Sequence, residues 1–234
     1  DNVGNEKLYS STDLAALGIQ SSLTVVNSNQ DTTAPELTSV TFSDLTNNTI
    51  DLSSGSASFS ATATFLEAQS GLDDDIELVW TSPSGQGIRW NQNSLINNSK
   101  SGKFTFSQYA EAGVWTLDIS EFDDNAGNLR TYSYSELAAL GIQSSLTVVN
   151  PNQDITAPEL TSVTFSGLNN NTVDVSQGPV TISTDISFVE TQSGNSDIEM
   201  DWTSPSGQSI NINENPFVGN TKSGTFTFSQ YAEA

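Results

Sequence analysis

The chain repeats itself. Leu14–Asn27 (LAALGIQSSLTVVN) is identical to Leu137–Asn150, and Thr33–Ser43 (TAPELTSVTFS) returns unchanged as Thr156–Ser166. Thr81–Gln86 (TSPSGQ) returns as Thr203–Gln208, and Phe104–Ala112 (FTFSQYAEA) as Phe226–Ala234. The offset is 123 residues as far as Gln69/Gln192 and 122 from Asp75/Asp197 onward, so one residue is lost between them. Self-similarity at a fixed period marks tandem copies of one structural unit, and a period of this length is a whole domain rather than a solenoid turn. Asp1–Gly18 in turn aligns with Asp124–Gly141. The expectation is a window on a longer array. Residues 1–27 read as the last part of a preceding repeat, 28–150 as a complete repeat, and 151–234 as a repeat lacking its last two strands.

Each copy is long enough to bury its own core. Charge then restricts the partners. Six Lys and Arg stand against 28 Asp and Glu, a formal net charge of −22. Nucleic acid is bound through Lys and Arg that neutralise phosphates, so it is not an expected partner, and neither is an anionic membrane surface. A charge excess of this size pushes a compact state apart unless cations neutralise it. The sequence holds no cysteine and no histidine. Disulfides, thiolate or imidazole metal sites and Ser-His-Asp chemistry are therefore excluded from it. No apolar run approaches the roughly twenty residues that span a bilayer, so no membrane insertion is expected.

Apolar residues alternate with Ser, Thr and Asn. Phe59, Ala61, Ala63 and Phe65 follow period two, as do Ile76, Leu78 and Trp80. Alternation of this kind, bounded by Gly, Pro, Asn and Asp clusters, signals half-buried antiparallel strands. It predicts strands over Glu36–Ser43, Thr49–Leu52, Ala57–Leu66, Ile76–Thr81, Ile88–Asn91, Lys103–Gln108 and Val114–Phe122. A last strand is expected to begin at Leu129–Ser135 and resume at Leu146–Val149, interrupted by a short helix over Ser135–Gly141 that plugs one end of the core. Seven or more short strands in about 120 residues suggest two packed sheets. The predicted class is all-β: a two-sheet sandwich with a short helical plug before its last strand segment.

The linker QDTTAPELTSV and the hairpin DNAGN make the chain resemble tandem bacterial immunoglobulin-like (cadherin-like) repeats of large extracellular adhesins and surface fibres. On that resemblance Trp80, on the strand over Ile76–Thr81, and Trp202, its equivalent, take the place of the family's core tryptophan, and Tyr109 and Tyr231 that of the tyrosine corner. The resemblance implies a non-catalytic, secreted or cell-surface stalk or shaft whose partners are neighbouring repeats of the same protein. Strand-complementing copies in a filament are a second arrangement it implies. Two alternatives stand beside it, a module that binds polysaccharide or a partner cell and an accessory segment of a large secreted hydrolase. Trp90 is the one residue offered for stacking on a glycan, but the next copy has Ile212 there, which favours packing.

In such a sandwich the linker, the loop after the third strand and the last hairpin lie at one end. There the sequence places Asp31, Glu67, Asp75, Asp123, Asp124, Asn125 and Asn128. Asp154, Glu190 and Asp197 repeat the set in the next copy, and Asp1, Asn2 and Asn5 in the previous one. Hard oxygen ligands converging from three segments describe a structural calcium site. Asp, Asn and Gly also populate turns for conformational reasons alone, which is the competing explanation of the same residues.

Overall fold

The computed structural model describes residues 7–92, 94–194 and 197–233. The protein is mostly β and divides into two compact units, Asn27–Ile155 and the remainder. The strand pattern of the first unit follows from its alternation. After a short helix α1 (Ser11–Ala16), the chain forms β1 (Glu36–Ser43), β2 (Thr49–Asp51), β3 (Ala57–Leu66), β4 (Glu77–Thr81), β5 (Gly87–Arg89), β6 (Asn91–Gln92), β7 (Ser99–Phe106) and β8 (Gly113–Glu121). Helix α2 (Tyr134–Ala139) and β9 (Ser145–Val149) complete the unit.

One sheet has the order β1-β3-β7-β6 and the other β2-β9-β8-β4-β5. All pairings are antiparallel except β2 with β9, which run parallel. Side chains alternate across a strand, so the inward set of β3 (Phe59, Ala61, Ala63, Phe65) is buried. Its outward set forms hydroxyl pairs with β7: Ser58–Thr105 at 3.0 Å, Thr62–Ser101 at 2.9 Å and Thr64–Ser99 at 3.1 Å. Trp80 and Trp115 of the second sheet are fully buried against the first, with ring centroids 6.4 Å from Phe59 and 5.1 Å from Phe106 respectively. Rings at such separations and steep angles stabilise beyond their buried area.

The chain crosses between sheets through Trp90, which lies between β5 and β6. It is buried, and its indole Nε1 donates to the Ile76 carbonyl at 2.8 Å. A Cβ on Gly102 would meet both Asn91 O and the Trp90 ring at 2.9 Å, so glycine lets Trp90 and the start of β6 pack this closely on β7. Trp90 is thus a core residue and offers no face to a sugar.

Helix α2 is short and caps itself. Ser133 Oγ accepts from the Glu136 N–H while the Glu136 carboxylate accepts from the Ser133 N–H, a capping box. Leu137 drops into the core as the plug. The identical run at Leu14 also forms a capped helix, α1, but α1 buries no residue. Local sequence therefore makes the helix, whereas a core to enter is what makes it a plug.

Two expectations need correction. Leu129–Ser135 does not form a strand: only single bridges link Asp123 with Leu129 and Ile119 with Tyr132. The tyrosine that ties side chain to backbone is not Tyr109 but Tyr132, whose hydroxyl accepts from the Leu37 N–H at 3.0 Å. The same ring packs beside Phe122, 6.4 Å between centroids.

In the second unit β10 (Glu159–Ser166), β11 (Val180–Val189), β12 (Asp201–Thr203), β13 (Ser209–Asn211), β14 (Asn213–Glu214) and β15 (Thr221–Phe228) repeat the strand order of the first sheet as β10-β11-β15-β14, with β12-β13 as a separate hairpin. Ile182, Ile186 and Phe226 are buried, but Trp202 is 42% exposed. Trp80 pairs across the sheet with Leu117 of β8; among the described residues no strand takes that place beside β12. Trp202 rests only on Phe165 and Phe226, at 5.4 and 6.2 Å. The expectation of a buried Trp202 is corrected accordingly. Among the described residues no helix is long and apolar enough to cross a membrane.

Candidate metal centre

Three carboxylates meet at one end of the Asn27–Ile155 unit. Asp31 comes from the segment before β1, Glu67 from the turn leaving β3, and Asp124 from the hairpin after β8. One oxygen of each lies within 4.8 Å of the others. Oxygens held about 2.3–2.6 Å from a shared calcium ion lie no more than roughly 5 Å apart, so the spacing suits a single cation. Asp31 and Glu67 are part-buried and Asp124 is almost fully buried.

Backbone amides hold the triad in place. Glu67 Oε1 accepts from the N–H groups of Gln69 and Ser70 at 2.6 and 3.2 Å. Ser70 N–H also donates to Asp31 Oδ2 at 3.1 Å, linking the two acids. Asp124 Oδ1 accepts from the N–H groups of Ala126 and Asn128, both at 2.9 Å, and its Oδ2 from Asn128 Nδ2 at 2.9 Å. Burial raises the Asp124 pKa, but the donors from Asn128 and Ala126 outweigh it and leave the group below the ordinary carboxylate range. Hydrogen bonds from Thr33, backbone and then side chain, depress Asp31 likewise. Both acids are held ionised, as a cation ligand must be. The Ser70 hydroxyl oxygen is also buried beside Asp31 and Asp124.

The other predicted residues take different roles. Asn128 is a bridge: its Nδ2 also donates to the Asp31 carbonyl at 3.3 Å. Asn125 Nδ2 donates to the carbonyls of Ser70 and Leu72, fastening the hairpin to the loop after β3. Asp123 stands outside the triad; burial first, then the charges of Asp73 and Asp124, raise its pKa. Asp75 N–H closes a turn onto Asp73 Oδ1, and Asp75 is not part of the triad. In the second copy Glu190 repeats the local geometry of Glu67, accepting from the N–H groups of Gln192 and Ser193 through Oε1. Asp197 faces the buried amine of Lys222 at 3.9 Å. Asp154 is buried, with its N–H on the Tyr109 carbonyl and its carbonyl on Gln86 Nε2. Asp1, Asn2 and Asn5 lie outside the described residues.

Sequence reasoning missed Ser70. Its signal is positional: it follows Glu67 by three residues, the spacing at which a turn returns an amide to the acid.

A comparison with protein-family models finds no match. None is found among curated proteins either. Among solved structures, the chain is similar to a DUF4785 family protein from Legionella pneumophila, at 13% identity and a TM-score of 0.32. That likeness covers 81% of this chain and 46% of the other, so the chain spans about half of that protein's length.

Proposed function

We propose that the chain is a segment of tandem immunoglobulin-like sandwiches in an extracellular adhesin or surface filament, acting as a stalk or shaft that calcium stiffens. The observation that carries this reading is the triad itself. It joins an acid of the linker, Asp31, to two acids of the following module, Glu67 and Asp124, and its donors are all oxygen. Hard oxygen donors of this number and charge suit calcium better than a transition metal. Asp31, Glu67 and Asp124 would hold the ion, and its charge would fix the linker end against the loop after β3.

A second feature supports a stiff shaft. The segment after β9 is tied to its own module: Asn150 Nδ2 donates to the carbonyls of Gln108 and Ala110, and Ala112 N–H donates to Gln153 Oε1. Linker residues held at this density are not a loose tether.

Thermal melting of the chain in EDTA and in millimolar calcium tests the reading. A ligand bound only by the folded state adds about 2.7 kcal/mol at a hundredfold excess over Kd. A higher Tm in calcium is expected, an increment lost in Asp31→Asn and Asp124→Asn and kept in Asp73→Asn. Identical melting in both solutions sinks the calcium reading.

A further inference from the structure

Four tight turns in the described residues share one plan, and two carry a feature the plan does not need. Asn47-Asn48 and Asn170-Asn171 sit at the tips of turns closed by the Thr46–Thr49 and Asn169–Thr172 bridges. All four asparagines have positive φ, between 49° and 59°. Two consecutive residues in that region define the tight hairpin turn that favours Asn and Gly. In place of Asn97 the other copy has Gly219, also at positive φ.

What Asn47 and Asn170 share is the triplet Asn-Asn-Thr, an acceptor pattern for asparagine-linked sugar. The pattern recurs at the same place in both copies. Both asparagines are exposed, and the threonine two residues on turns back to each: Thr49 Oγ1 donates to the Asn47 carbonyl at 3.1 Å, and Thr172 Oγ1 to that of Asn170 at 3.4 Å. Beside each lies a shallow depression of mixed polar and apolar lining. The first, about 500 Å³, is lined by Asp44, Thr46, Asn47, Thr49, Asp51 and Ser58 together with Ile50 and Ala57. Its counterpart, about 450 Å³, is lined by Asn169, Asn170, Thr172 and Asp174 among others. Hydroxyls, amides and carboxylates around a depression of this size match the hydrogen-bonding surface of one or two sugar rings. Asn97-Asn98-Ser99 differs, because the Ser99 hydroxyl is engaged with Thr64 and the other copy has no asparagine in the first position.

We infer that Asn47 and Asn170 are glycosylation sites, each carrying a sugar that rests in the adjoining depression. The donor is a glycosyl diphosphate. A bond forms between its anomeric carbon and the asparagine Nδ2 as the bond from that carbon to the phosphate oxygen breaks. The diphosphate leaves with the electron pair, and one amide proton passes to a base of the transferase.

The test begins with the chain recovered from the cells that make it. Cleavage after glutamate yields peptides 37–67 and 160–190, which hold the two sites, and 78–111, which holds Asn97. The first two should exceed their sequence masses by whole sugar residues. Both at their unmodified masses would overturn the proposal. Unmodified chain is then incubated with soluble extract plus a nucleoside diphosphate sugar, or with a membrane fraction bearing lipid diphosphate sugars. Labelling in one arm identifies the donor, and labelling in neither refutes the inference. Asn47→Gly and Asn170→Gly keep the turn, so both should melt as the parent does while losing the label. Label that survives in either variant would show the residue assignment to be wrong.

Discussion

Asp123 and Asp124 are adjacent in the hairpin and are pushed in opposite directions. Asp124 is held below the ordinary carboxylate range because, despite burial, Asn128 and Ala126 donate to it. Its contribution to stability is present above the unfolded carboxylate pKa and is lost as pH falls through the lower folded value. Asp123 is raised by burial and by Asp73 and Asp124. The folded state then binds the proton more tightly than the unfolded chain, so stability falls as pH rises from the ordinary carboxylate pKa through the raised one. Asp123→Asn should therefore raise Tm at pH 7 in EDTA. The gain should vanish near pH 3, where the parent residue is already neutral; an equal gain at both values would refute the electrostatic cause. The tryptophans supply a second contrast. Trp80 is fully buried and Trp202 is 42% exposed. Trp80→Ala should cost about 3–5 kcal/mol in denaturant unfolding, and Trp202→Ala clearly less. Fluorescence should give water-exposed emission for Trp202 and not for Trp80.

At the scale of elements, one glycine decides how closely β6 can pair with β7. Gly102→Ala would drive a methyl into Asn91 O and the Trp90 ring. Overpacking of this kind costs about 1–3 kcal/mol, which a shifted denaturant midpoint with unchanged slope would register; an unchanged midpoint would show that the contact yields freely. The same region shows where pattern reading stops. β3 matches the alternation end to end, because every inward position there is apolar or small, whereas β1 keeps its expected bounds but carries a bulge at Leu37–Ser39 that sets the buried Leu37 and Val40 three apart. β7 begins at Ser99, four residues before the expected start, because its first inward position is Lys100. That lysine is 2% exposed and donates to Asp74 Oδ1 at 3.0 Å, a buried cation that no hydrophobic count flags. Leu129–Ser135 failed in the opposite sense: it alternates, yet its backbone pairs at single bridges, Asp123 with Leu129 and Ile119 with Tyr132, and makes no continuous ladder. The triad was legible because topology alone brings linker, loop and hairpin to one end. Asp75 and Asp197 were not separable from it in sequence: only the fold shows Asp75 outside the triad and Asp197 3.9 Å from the amine of Lys222, which pairs more closely with Glu214 at 2.6 Å.

Across the whole molecule, a net charge of −22 makes every folded state of this chain sensitive to ions. Two effects are superimposed and separate by concentration. Diffuse repulsion is screened by any salt over a Debye length of about 10 Å at 0.1 M, so sodium chloride should raise Tm gradually and without saturation at a stoichiometric ratio. Site binding at Asp31, Glu67 and Asp124 instead follows mass action and saturates once calcium exceeds Kd. At matched ionic strength, calcium should therefore exceed sodium by an increment that titrates to a plateau. Asp31→Asn and Asp124→Asn also remove carboxylates whose hydrogen bonds stabilise the folded state, so both should melt below the parent even in EDTA. The distinguishing measurement is the calcium increment at fixed ionic strength, which should collapse in each variant while the sodium slope remains. If calcium and sodium act alike once ionic strength is matched, the acidity serves solubility alone and the triad is an ordinary set of turn residues.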